Sequence, residues 1–146
     1  MNDNANLGSA KKLYPVAFFN DYYRNIMSGK MNGRSSFITG DKIKPEVLKD
    51  LLCNGSLKVM PFKSNSQSIN YIECHDNYTF YDKCKYLFNI DKEEKIIDYC
   101  KLGLGLVILS DGISFIHSGE ELCRSKQGND NSYNLSDDIN SIDFNK

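Results

Sequence analysis

The stretch Ser68-Ile-Asn-Tyr-Ile-Glu-Cys74, running straight into His75-Asp76-Asn77, decides how this chain is read. It is a short, β-rich run that ends abruptly on three polar residues, the form of a buried strand with chemistry at its C-terminal end. The same pattern recurs on either side. Upstream, Pro15-Val-Ala-Phe-Phe19 ends on Asn20 and Asp21; downstream, Ile113-Ser-Phe-Ile116 leads into His117-Ser-Gly-Glu-Glu121. Helix-like segments lie between. Tyr22–Met27 gives a turn or two before Gly29, which stands where a left-handed helix cap belongs. After a polar, Gly-rich loop over 29–41, Lys44-Pro45-Glu46 opens a helix with Val47, Leu48, Leu51 and Leu52 as its apolar stripe and Asn54-Gly55 as its stop. Beyond the aromatic-rich Tyr78–Phe88, Asp91 and Glu94 have capping-box spacing. The helix they open presents Ile96, Ile97, Cys100, Leu104 and Val107, and Ser110-Asp111-Gly112 ends it. Gln127–Lys146 is polar and turn-rich.

Strand, helix, strand, helix, strand is the sequence form of parallel βαβ units, whose right-handed crossovers turn every strand C-terminus the same way. Residues 15–19, 69–74 and 113–116 are therefore predicted as adjacent parallel strands, with helices at 45–53 and 92–109 packed on one side. Asn20, His75 and Asp76 are predicted to open toward one face, with His117 near the same rim.

Composition narrows the partners. With 146 residues, 40% hydrophobic and 25% charged, the chain suits one ordinary globular domain. A formal charge of −1 with interspersed signs argues against nucleic acid. The longest apolar run, Leu102–Leu109, is far short of the roughly 20 residues that cross a bilayer, so no membrane partner is expected. Met1–Asn6 shows no basic-then-apolar leader pattern. The five cysteines (53, 74, 84, 100 and 123) include no C-x-x-C pair, so neither a zinc framework, another cofactor nor a disulfide set follows. Reduced thiols are expected, which points to the cytoplasm.

Asp76 admits two readings. Asp-Asn is common turn chemistry. With His75, however, it sets a neutral donor beside an anion, a pair suited to gripping adjacent sugar hydroxyls. Tyr78, Phe80 and Tyr81 follow as either a stacking wall or core.

Four ordered blocks carry a resemblance. Ser68-Ile-Asn-Tyr-Ile-Glu-Cys-His-Asp-Asn77 resembles the seventh-strand motif of the alpha-amylase clan in its type I pullulanase form. Val16-Ala-Phe-Phe-Asn-Asp21 with Arg24 resembles the sixth strand and following helix. Gly112-Ile-Ser-Phe-Ile-His-Ser-Gly-Glu-Glu121 with Arg124-Ser-Lys126 resembles the eighth strand. Asp130-Asn-Ser-Tyr-Asn134 through Asp138-Ile-Asn-Ser-Ile-Asp143 resembles the loop after it. The resemblance runs over about residues 14–144. Glu120 stands where the family usually shows Gln, Phe144 where Trp is common, and the chain has no Trp.

The resemblance implies an α/β fold, part of a (β/α)8 barrel corresponding to strands six to eight, and a debranching glycoside hydrolase that cleaves α-1,6 linkages by a retaining mechanism. Pullulan, amylopectin or glycogen would be the α-glucan partner. Of the family's three carboxylates only the transition-state stabiliser maps here, as Asp76, with His75 as its substrate-binding neighbour. The nucleophile and the acid/base would lie before Met1, so the isolated chain is expected to be inactive, and a second polypeptide could carry the rest of the barrel. Asn20, Asp21, Asn131, Tyr133 and Asn134 are further substrate-binding candidates. Another clan member (a branching enzyme or an α-amylase) and a non-catalytic glucan-binding module stand as alternatives.

Overall fold

The computed structural model describes residues 7–53 and 61–145. Three strands, β1 (Phe18–Phe19), β2 (Ser68–Asn70) and β3 (Ile113–Ser114), make one parallel sheet in the order β1-β2-β3. Phe19, Ile69 and Ile113 stand side by side across it. Order and direction are those predicted. The ladders are shorter: residues 71–74 leave the ladder after Asn70 yet stay buried.

The helices are α1 (Asp21–Met27), α2 (Pro45–Cys53), α3 (Phe80–Asp82), α4 (Glu93–Leu109) and α5 (Asp137–Asn140). A wide helical turn over Lys83–Leu87 extends α3. α1 ends as expected, with Gly29 at φ +83°; a Cβ there would lie 2.7 Å from the Ser35 carbonyl oxygen. α2 begins at Pro45, and its predicted stop, Asn54-Gly55, lies outside the described residues. The capping box predicted for α4 does not form. The N-cap is Lys92, which makes no side-chain cap bond, so Glu94 falls one position early and Glu93 instead accepts the Tyr81 hydroxyl at 2.6 Å. The buried stripe of α4 is Ile96, Cys100, Gly103 and Val107. Gly103 lets the helix approach closely, since a Cβ there would sit 2.7 Å from Ile72 Cδ1.

The two faces of the sheet differ. Phe18 packs into the core, Ser114 Oγ donates to the Val107 carbonyl at 3.0 Å, and Asn70 Nδ2 donates to the Asp111 carbonyl at 2.8 Å, so this face meets the helices. On the other side Phe19 and Ile113 remain exposed. There Phe19, Tyr71 and Phe115 form an edge-to-face triangle, with centroids 5.1 Å apart from Phe19 to each of the others. Among the described residues no helix is long and apolar enough to cross a membrane. None of the five cysteines is in a disulfide.

Asn20 is corrected by the structure. It does not open to the strand-end face: its side chain is 0% exposed and fully engaged. Oδ1 accepts the Tyr23 amide at 3.0 Å and caps α1, while Nδ2 donates to Ser68 Oγ at 3.0 Å and to Asn70 Oδ1 at 3.3 Å. The polar groups of β2 need a donor and the first turn of α1 needs an acceptor; one carboxamide serves both. Asn20→Ala is expected to lower stability by about 2–3 kcal/mol, one for the cap and about one for each buried bond. Urea midpoints measure this, and Asn20→Asp, which keeps the cap acceptor but sets a buried carboxylate against Asn70 Oδ1, should be no milder than Ala.

Candidate functional site

Past β2 the buried segment Tyr71–Cys74 delivers His75 and Asp76 into solvent. Asn77 then takes a left-handed φ of +62°, which Asn tolerates better than most residues. A buried lysine holds this corner. Lys126 is 1% exposed, and its Nζ donates to the Asn77 carbonyl at 2.5 Å and the His75 carbonyl at 3.3 Å. Burial, then Arg124, pulls its ammonium below the ordinary lysine pKa. Lys126 is itself pinned by the buried Asp82, which accepts the Lys126 amide at 2.7 Å and the Ser125 hydroxyl at 2.5 Å. Thr79 Oγ1 in turn accepts the Asp82 amide at 3.1 Å. The chain from Thr79 to Lys126 thus fixes the backbone that presents His75 and Asp76.

A second link ties the ends of β2 and β3. Glu73, buried, accepts the Phe80 amide at 2.6 Å and lies 3.0 Å from His117 Nδ1. The His117 amide donates to Glu120 Oε2 at 3.1 Å, whereas Glu120 Oε1 is buried without a partner. Burial, then the charge of Glu73, pushes the Glu120 carboxyl up to about 8. His117 therefore sits at the rim as a half-buried structural link.

At the corner, Cys74 Sγ donates to Asp76 Oδ1. That bond first, then the fields of His75 and Arg24, holds the Asp76 carboxyl below its ordinary value against the opposing effect of burial. Burial and the same carboxylate push the Cys74 thiol up to about 11. His75 and Asp76 line a cavity of about 260 Å³ with Asp130, Asn131, Ser132 and Tyr133. Tyr133 is 84% exposed. Asn134 is exposed beside this wall without lining it. Asp21 is reached through Tyr71, whose hydroxyl donates to Asp21 Oδ1 at 2.5 Å, and it pairs with Arg24 at 3.7 Å. Arg24 in turn lies over the Tyr71 ring, 5.6 Å from its centroid.

Four of the seven candidates named from sequence (His75, Asp76, Asn131 and Tyr133) therefore share one cavity. Asn20 is buried among its own partners, and it, Asp21 and Asn134 lie outside the cavity lining. Phe80 and Tyr81 are core, not wall. Sequence reasoning missed Lys126, Asp82, Glu73, Asp130 and Ser132. A lysine in a polar segment carries no periodic signal of burial, so only the fold reveals it.

No family model matches this sequence. Whole-chain comparison gives a clear answer nonetheless. A pullulanase of Bacillus subtilis is 31% identical over 147 aligned residues, 97% of this chain and 20% of that protein. The crystal structure of a pullulanase from an Anoxybacillus species superposes with a TM-score of 0.87 at 37% identity, covering 95% of this chain and 20% of the other. The chain is pullulanase-like. Type I pullulanase from Bacillus subtilis, solved with maltose, gives a TM-score of 0.87 at 33% identity over 97% of this chain and 20% of that one. The Anoxybacillus enzyme has also been solved with maltotriose. The pullulanase-like chain spans about a fifth of the length of the relatives it matches.

The raised pKa of Glu120 has a defined sign. The folded chain keeps that proton to about pH 8, whereas the unfolded chain releases it near 4.5. Its contribution to stability is fully present below about 4.5 and lost as pH rises toward 8. Glu120→Gln, which restores the residue usual in the resembled family, should match the parent's melting temperature near pH 4.5 and exceed it at pH 8. Thermal melts by circular dichroism across that range check it, and parallel curves would clear Glu120.

Proposed function

We propose that this chain supplies the sixth to eighth strands of a (β/α)8 barrel in a debranching glycoside hydrolase of the pullulanase type. On this reading Asp76 stabilises the transition state for cleavage of α-1,6 linkages in pullulan, amylopectin or glycogen. One observation carries the proposal: an Asp76 carboxylate held ionised beside His75 on the wall of a cavity that Asn131 and Tyr133 also line. An oxocarbenium-like transition state gathers positive charge at the sugar ring, and a preorganised anion next to a hydroxyl-binding imidazole lowers its energy. Tyr133 offers an exposed ring for a further sugar, and Asn131 an amide for its hydroxyls. Asn134 and Asp21 would act farther out along the glucan. The bound maltose and maltotriose of the relatives support a malto-oligosaccharide in this cavity.

A retaining mechanism also needs a nucleophile and an acid/base. On the resemblance stated above, neither belongs to strands six to eight. The remaining strands would come from further polypeptide, covalently joined or separate. They would also cover the apolar face carrying Phe19 and Ile113. Five cysteines without framework spacing fit a reducing compartment, and the cytoplasm is the proposed location.

The test has two arms. The chain alone should release no more reducing sugar from pullulan than its Asp76→Ala variant. Exchanged for the matching segment of the Bacillus subtilis pullulanase, it should support hydrolysis, and Asp76→Ala should then lower kcat by at least about 10²-fold, on the scale of losing one preorganised electrostatic group. Asp76-dependent turnover by the isolated chain would overturn the partial-barrel reading. A chimera that folds and binds maltotriose while Asp76→Ala leaves kcat intact would overturn the role of Asp76.

A further inference from the structure

We propose that Cys74, His75 and Asp76 form a three-ligand site for a borderline divalent cation of the Zn²⁺ type. The thiol sulfur, an imidazole nitrogen and a carboxylate oxygen of these consecutive residues all lie within 4.8 Å of one another. Zinc takes sulfur at about 2.3 Å and nitrogen or oxygen at about 2.0–2.2 Å, so the ligand atoms of a tetrahedral site stand about 3.2–3.8 Å apart. To reach that spacing the His75 ring would swing toward the sulfur and the Asp76 oxygen, already in contact with it, would draw back; both side chains are exposed, beside a buried Cys74. The thiol already touches Asp76 Oδ1 through its proton. A cation would take the place of that proton, which leaves to solvent.

The donor set selects the metal. One sulfur, one nitrogen and one oxygen suit zinc or cobalt, whereas magnesium and calcium demand six or more oxygens. Three protein ligands with a free fourth position is the arrangement of accessible zinc sites rather than closed structural ones. The corner is also rigid where rigidity matters, because Lys126 holds the carbonyls of His75 and Asn77. The cations nearest the corner are already engaged, Lys126 with those carbonyls and Arg24 with Asp21. Asp130, on the same cavity wall, adds a carboxylate that favours a cation there.

The site engages the same His75 and Asp76 that the proposed function gives to the sugar, so cation and glucan would compete for them; metal binding itself is read without sugar, so its failure would leave the glycosidase proposal untouched. The experiment titrates the reduced chain with Zn²⁺ by calorimetry and with Co²⁺ by absorption, where a thiolate ligand adds a near-ultraviolet charge-transfer band. One equivalent is expected, with that band present, and with no measurable heat from Ca²⁺ or Mg²⁺ at the same concentration. Cys74→Ser should remove the band, and His75→Ala and Asp76→Asn should each weaken Zn²⁺ binding by at least about tenfold, the loss that follows from disturbing even the supporting groups of a metal site. Cys53→Ser and Cys123→Ser should change nothing. Circular dichroism checks that each variant folds; should Cys74→Ser fail, the two variants at exposed positions carry the test. Zn²⁺ affinity that survives His75→Ala and Asp76→Asn, disappears with Cys53→Ser or Cys123→Ser, or is matched by Ca²⁺ would overturn the site.

Discussion

A single buried carboxamide sets the geometry from which the rest of the molecule follows. Asn20 ends β1, caps α1 and reaches across to Ser68 and Asn70 of β2. Asn70 then passes the connection on to the Asp111 carbonyl at the foot of β3. Parallel strands of two or three residues offer few ladder bonds, and slipping one by a residue would reverse every side chain. A chain of directional bonds on the helix-facing side resists that slip more strongly than apolar contact could, since each unpaired member would be left buried and unsatisfied. The sheet is short because its register is held from the side.

From that frame the chemistry is positioned by a second set of buried polar groups. Asp82 and Lys126 lie 44 residues apart in sequence with α4 between them, yet together they fix the carbonyls on both sides of Asp76. Burying a lysine costs heavily unless its donors are used, and here the carbonyls of His75 and Asn77 accept them. The carboxylate at the corner is then free to face solvent, while the backbone under it is not free to move. Glu73 and His117 do the same for the neighbouring strand end.

Much of this was legible in the sequence, and for identifiable reasons. Strand order and direction follow from alternating periods and right-handed crossovers, and α2 and α4 from their apolar stripes, with Pro45 marking the start of one and Ser110 the end of the other. The corner at His75 and Asp76 was legible because polar residues directly after an apolar run stand out. What escaped was governed by tertiary partners. Asn20 looked like a strand-end donor for ligand, but no local pattern tells a carboxamide that binds outward from one that binds inward. Lys126 sits in a polar segment where nothing local marks it for burial. The capping box at Asp91 and Glu94 had the correct spacing in the wrong frame, because Tyr81 claimed Glu93 and moved the helix start by a residue. Three adjacent residues such as Cys74, His75 and Asp76 fit no spaced metal motif, and only the bend of the chain gathers their donors.

The triangle of Phe19, Tyr71 and Phe115 has an optical consequence. With no tryptophan in the chain, near-ultraviolet dichroism rests on tyrosine and phenylalanine rings held in asymmetric surroundings, and Tyr71 is locked at edge-to-face angles of 76° and 83° to its two neighbours. Phe19 keeps 44% of its surface in solvent on the open side of the sheet. Whatever covers that side changes the polarizability around this coupled ring cluster, so the chain carries an intrinsic, label-free chromophore whose spectrum distinguishes a bare sheet from an enclosed one.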